Sequence, residues 1–298
     1  MLLDHLVDFC DKGYRKADTE HFCGGCLHPK KCTGSCDECL NEVHFPSKHP
    51  GGKIEYDCSN MLNYYVCRYS HKYCSEIEYA LNEVENLKEL NVYNVMSIGC
   101  GASPDLMALE HYKQKNDLNT PIVYSGYDKN RLWQPAHEEI KNYGKDNGIR
   151  AQFEYVDVIK YFKEYYVSGM NMLFLQYVIS YFYNTGQIDT IESFFDDLID
   201  SVVLRRSEGE DFVIVINDVN SCYRGRDHFD VLHKKLIEND FHGSVRKRYF
   251  DYDISHKLQR YGEPHESNEN LYRISTDIKG RYNPAIYCSS AQLIIEVK

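Results

Sequence analysis

Apolar positions recur along this chain with two different periods, and each period marks a region. Leu2, Leu3, Leu6, Val7 and Phe9, with Asp4, Asp8 and Asp11 among them, fit one face of an opening helix. From His21 to Gly52 the chain turns to Cys, His, Gly, Pro and Lys with few aliphatic residues, a stretch unable to build a core alone. Between Cys58 and Leu90 the helical period returns, with Ile77, Leu81, Val84, Leu87 and Leu90 three or four residues apart. Beyond Val92 short apolar runs alternate with helical stretches. Val92–Gly99, Ile122–Tyr127, Gln152–Val158, Met172–Tyr177 and Phe212–Asn217 read as buried strands, and Asp105–Gln114, Gln134–Tyr143 and Ile188–Val203 as helices. That alternation predicts an α/β fold with a mostly parallel sheet covered on both faces. Val245–Tyr252 and Ser289–Val297 read as two closing strands around a polar loop.

Composition narrows the class. The chain has 298 residues, 43% hydrophobic and 27% charged, enough for one sizeable core with a small satellite and too apolar for disorder. It holds no run of ~18 apolar residues, so no membrane span is expected. The acidic residues of the opening helix argue against a secretory signal, and a reducing, cytoplasmic setting is expected. A net charge of −11 disfavours a protein that coats nucleic acid. The basic runs Arg224-Gly225-Arg226 and Arg246-Lys247-Arg248 read as solvated charge rather than phosphate contacts.

Cysteine usage adds candidate chemistry. Of twelve cysteines, five follow the pattern Cys23-x2-Cys26-x5-Cys32-x3-Cys36-x2-Cys39, and Cys58 comes after a loop rich in Pro and Gly. Two C-x2-C pairs present four thiolates through compact turns, the donor set that tetrahedral zinc prefers. Cys32 and Cys58 are further candidate ligands. Two zinc ions sharing thiolates, or an iron–sulfur cluster, stay open as alternatives. His21, His28, His44, His49 and His71 are spare candidates, each read first as a surface histidine. Cys67 and Cys74, seven apart on a helix, read as packed thiols, and the row Tyr65, Tyr69 and Tyr73, with Tyr64 beside it, as packing against the sheet domain. The expected division is a cysteine-rich, zinc-binding region over 1–74 and a sheet domain over 75–298.

The first strand of the sheet domain runs into Ser97-Ile98-Gly99-Cys100-Gly101-Ala102-Ser103-Pro104-Asp105. Two glycines permit a sharp turn and close approach of a ligand to the backbone, Pro104 suits the first position of a helix, and Ser103 is placed to cap it. The second strand ends in Asp128, placed to accept the two hydroxyls of a ribose. The third ends near Asp157.

These residues resemble the class I S-adenosylmethionine-dependent methyltransferases, over roughly residues 75–298. The resemblance implies a Rossmann-like sheet with an antiparallel closing hairpin, and a cofactor site of Gly99, Cys100 and Gly101, with Asp128 on the ribose, Asp157 near the adenine and Gln176 at the methyl-transfer end of the fourth strand. Ser97 stands where the family often has an acid, Ser103 stands at the third glycine position, and no Asn-Pro-Pro-Tyr signature follows the fourth strand. The implied activity is methyl transfer from S-adenosylmethionine to an unidentified acceptor, expected to be macromolecular, among RNA, DNA, protein and small molecules, with no catalytic base designated. The alternative is a non-catalytic, zinc-dependent interaction protein on the same scaffold. A nicotinamide enzyme is disfavoured by the incomplete glycine fingerprint and the late acid.

Overall fold

The computed structural model describes residues 1–19, 35–206, 211–222, 224–251 and 260–297. Its elements, in chain order, are α1 (Leu2–Thr19), α2 (Cys36–His44), α3 (Ser59–Asn82), β1 (Tyr93–Ile98), α4 (Pro104–Lys115), β2 (Ile122–Tyr127), α5 (Gln134–Asp146), β3 (Ile149–Glu154) and α6 (Val158–Tyr161). There follow β4 (Met172–Gln176), α7 (Ile179–Asn184), α8 (Ile191–Ser201), β5 (Phe212–Val219), α9 (Phe229–Glu238), β6 (Gly243–Tyr249), β7 (Glu263–Pro264), α10 (Thr276–Tyr282) and β8 (Ser290–Val297). Among the described residues no helix is long and apolar enough to cross a membrane.

One eight-stranded sheet runs in the order β3-β2-β1-β4-β5-β8-β6-β7. The first five strands are parallel, and β8 lies antiparallel between β5 and β6. Alternation along each strand feeds two cores. On β5, Val213 and Val215 face the layer of α1, α3, α4 and α10, while Phe212, Ile214 and Ile216 face α7, α8 and α9. A strand buried on both sides reads as a continuous apolar run, which is why β1, β2, β4 and β5 were visible in the sequence.

β3 differs: it spans Ile149–Glu154 rather than Gln152–Val158. As the edge strand it exposes Arg150, Gln152 and Glu154 in strict alternation; of the apolar residues after it, Tyr155 and Val156 lie in the connection and Val158 opens α6. The long helix foreseen to Leu90 stops at Asn82; Val84 and Leu87 stay buried in the turn leading to β1. The expected boundary after residue 74 falls inside α3, whose Cys67, Cys74, Ile77 and Leu81 all lie in one core with α1 and α4. Within the cysteine-rich stretch, α2 is capped by the Ser35 side chain and buries Cys39, Leu40 and Val43.

Candidate cofactor site

Connections diverge at β1, which has β2 on one side and β4 on the other. In such sheets the crevice beyond the carboxyl ends of the central strands is where ligands bind. Ile98 is paired with Tyr127 and with Leu175, so the next residues on the three strands, Gly99, Asp128 and Gln176, meet at one edge.

The glycine turn is left-handed at Gly99 (φ 61°), Gly101 (φ 49°) and Ser103 (φ 58°). A Cβ on Gly99 would stand 2.9 Å from Val178 Cγ2, and one on Gly101 would stand 3.6 Å from the Trp133 ring. Ser103 does not cap α4 with its side chain, contrary to expectation; a capping serine needs an extended backbone, and here the turn holds it left-handed. Pro104 does open the helix.

Asp128 closes the turn from the neighbouring strand. Its Oδ2 accepts from Gly101 N at 2.9 Å and its Oδ1 from Asn130 N at 2.8 Å. A carboxylate offers about four lone-pair positions, so two are left over. The side chain is half-buried. Burial raises its pKa, opposed by the two N–H bonds. Cys100 faces the interior: its N–H donates to Tyr127 O at 3.1 Å, and burial pushes its thiol well above the ordinary range. Gly126 makes room for it, since a Cβ there would lie 2.9 Å from Cys100 Sγ and 2.7 Å from the Phe153 ring.

Behind the turn stands a residue that the sequence reading passed over. His137 on α5 is fully buried, stacked on Phe153 with ring centroids 3.8 Å apart. Its Nε2 is 2.8 Å from Gly101 O and its Nδ1 is 2.9 Å from Tyr155 Oη. The signal was a histidine on the apolar face that Ala136, Ile140 and Gly144 share.

At the end of β4, Gln176 Nε2 donates to Tyr73 O at 2.9 Å. Tyr177 has a left-handed backbone (φ 56°), packs on Tyr73 with centroids 4.6 Å apart, and donates to Glu76 Oε2 at 2.9 Å. Burial and Glu76 hold this phenol protonated. The tyrosine row of α3 therefore packs beside the turn: Tyr65 contacts Tyr69, Tyr73, Tyr56 and Trp133. His44 of α2 joins it, 5.3 Å from Tyr69, and burial pulls its pKa down to about 4.

Asp157 is placed less centrally. It caps α6, accepting from Ile159 N at 3.1 Å, and its side chain is 45% exposed. Of the candidate metal ligands, Cys23, Cys26 and Cys32, with His21 and His28, lie outside the described residues. Cys36 is half-buried on α2, Cys39 buried one turn later, and Cys58 buried at the start of α3. Among the described residues no three His, Cys, Asp or Glu side chains stand close enough to hold a metal. Cys67 and Cys74 are buried thiols directed at Val7 O and Met107 Sδ. The basic run on β6 is paired throughout: Arg246 with Glu85 and Glu296, Lys247 with Asp230, Arg248 with Glu83 and Glu263.

No family model and no curated protein matches the chain. Among solved structures it is similar to magnesium protoporphyrin IX methyltransferase from Synechocystis PCC 6803 with bound S-adenosylmethionine, at 10% identity and TM-score 0.42, covering 90% of this chain and 92% of that one. It is also similar to an S-adenosylmethionine-dependent methyltransferase from Aquifex aeolicus, at 11% identity and TM-score 0.41, covering 77% and 93%. The bifunctional kinase-methyltransferase WbdD is similar at 12% identity and TM-score 0.36; the match covers 88% of this chain and 46% of WbdD, so the chain spans about half of WbdD's length.

Proposed function

We propose that this protein binds S-adenosylmethionine at the carboxyl edge of β1, β2 and β4 and transfers its methyl group to an acceptor. The observation that carries the reading is the left-handed glycine turn at the point where the sheet order reverses, closed by Asp128 with two lone-pair positions to spare. The antiparallel β8 between β5 and β6 supports it, because a dinucleotide-binding sheet of two equal halves continues in parallel.

When bound, the cofactor supplies a sulfonium methyl. The chain's part is to bind, orient and exclude water. Asp128 takes the ribose hydroxyls, Gly99 and Gly101 admit the ligand close to the backbone, and Cys100 contributes main chain only. Asp157 stands at the adenine side, and Gln176 at the methyl-transfer end. Holding donor and acceptor in line supplies most of the rate in such a site. The phenols beside the turn are held protonated, so none is assigned as a base.

The test is titration calorimetry with S-adenosylmethionine and its demethylated product, beside NAD and NADP. Binding of the first pair is expected; binding of a nicotinamide cofactor alone would overturn the assignment.

The cysteine-rich segment is proposed to hold one or two zinc ions through Cys23, Cys26, Cys36 and Cys39, with Cys32 and Cys58 as further ligands. The support is the soft, closely spaced thiol set, with no position left open for catalysis. Elemental analysis of the purified chain is expected to find zinc; finding none would remove the site, and finding iron and sulfide would change its identity.

A further inference from the structure

Gly101 has both of its main-chain polar groups bonded to side chains from other elements. Its N–H donates to Asp128 Oδ2 at 2.9 Å, and its carbonyl lies 2.8 Å from His137 Nε2. A carbonyl only accepts, so the proton of the imidazole is on Nε2. Nδ1 is then an acceptor, and the Tyr155 hydroxyl at 2.9 Å donates to it. Phe153 fixes the ring plane by stacking at 3.8 Å and 5°. The chain of contacts runs from the end of β3 through α5 to the turn after β1, and from there to the acid after β2. Cys100 Sγ, 3.9 Å from the same Nε2, gains no base from it, because that nitrogen already carries the proton given to Gly101.

We infer that His137 is a positioning residue for the cofactor, holding the carbonyl of Gly101 so that the turn and Asp128 stand ready before the ligand arrives. The inference rests on the methyltransferase reading of the same site. A glycine turn is the segment with most conformational freedom to lose. Fixing both of its polar groups beforehand removes that ordering cost from the binding step. The role therefore differs from filling space, which a leucine would also do. It calls for a donor at the place of Nε2, which a glutamine amide supplies.

The experiment is titration of S-adenosylhomocysteine into the full chain and into His137→Leu, His137→Gln and Tyr155→Phe, with the thermal midpoint of each recorded. His137→Leu is expected to weaken binding about tenfold, the equivalent of one buried hydrogen bond. His137→Gln should recover most of that loss even where its midpoint falls as far as that of the leucine variant. Tyr155→Phe keeps the stacking and frees Nδ1, and a loss of about threefold is expected; it also serves if His137→Leu does not fold. Wild-type affinity in His137→Leu or in Tyr155→Phe would overturn the inference, as would equal losses in the leucine and glutamine variants. A wild-type chain that ignores S-adenosylhomocysteine is a different result and overturns the methyltransferase reading itself.

Discussion

A carboxylate at the end of a strand can serve the protein or a ligand, and the aspartates that end β2 and β5 divide these tasks. Asp218 accepts from Ile179 N, Ser180 N, Val219 N and the Ser180 side chain, which fills it and pins the start of α7. Asp128 accepts two bonds and keeps capacity. Asp128→Asn is accordingly expected to lower affinity for S-adenosylmethionine about tenfold or more, the scale of one charge-assisted hydrogen bond, and to lower the unfolding midpoint as well, because the amide nitrogen cannot accept from one of the two N–H groups; calorimetry and thermal unfolding check it. Asp105 is wholly protein-directed: it is buried, bonded by Tyr124, and burial pushes its pKa up to about 6. The folded chain thus keeps a proton that the unfolded chain releases near pH ~4. Stability from this group is present at low pH and declines as pH rises from about 4 to about 6, by roughly 3 kcal/mol. Asp105→Asn, which retains an acceptor for Tyr124, should flatten that decline, as urea unfolding at about pH 4 and pH 7 would show.

At the scale of elements, α3 joins the site to the rest of the sheet. Glu76 in its C-terminal half is fully buried and accepts from Tyr177 Oη, Asn217 Nδ2, Ser289 N and Ser290 N, tying the helix to the ends of β4, β5 and β8. Glu76→Leu leaves these donors and Lys72 unmatched in the interior. A loss of about 3–5 kcal/mol is expected, readable as a fall of the thermal midpoint, and Tyr177 loses the partner that holds it beside the turn. β2 illustrates a different constraint. Gly126→Ala pushes a methyl against Cys100 and Phe153, so a cost of about 1–3 kcal/mol is expected in denaturant unfolding, together with weaker cofactor binding as Cys100 is displaced.

For the whole molecule, the described residues of α1, α2 and α3 share one core with β1, β2 and α4. α2 carries Cys36 and Cys39, Cys58 opens α3, and His44 of α2 packs on the tyrosines beside the glycine turn. Removal of the proposed zinc therefore acts on more than the segment that binds it. A chelator is expected to lower the thermal midpoint by several degrees and to weaken cofactor binding, while the far-ultraviolet dichroism of the sheet persists. Unchanged binding after complete metal loss would show that α2 keeps its place without the metal.

Much of this architecture is legible in one dimension, for a definite reason. A strand buried on both faces is mostly apolar, and glycine adopts a left-handed turn most readily, so β1, β2, β4, β5, Gly99 and Gly101 stand out in the sequence, with Asp128 following the apolar run of β2. The edge strand β3 slipped by three residues because one of its faces is in water, and Asp157, expected at the adenine, also serves as a helix cap. His137 carries only the weak local signal of a histidine on an apolar helix face, and Tyr155 and Glu76 carry none. Their partners lie 36, 18 and up to 214 residues away. A polar residue on an apolar face is an anomaly until the chain is folded and its hydrogen bonds are seen. Local chemistry determined which segments become strands and where the turn lies; only the packing of α3 and α5 against the sheet decided which side chains hold that turn in place.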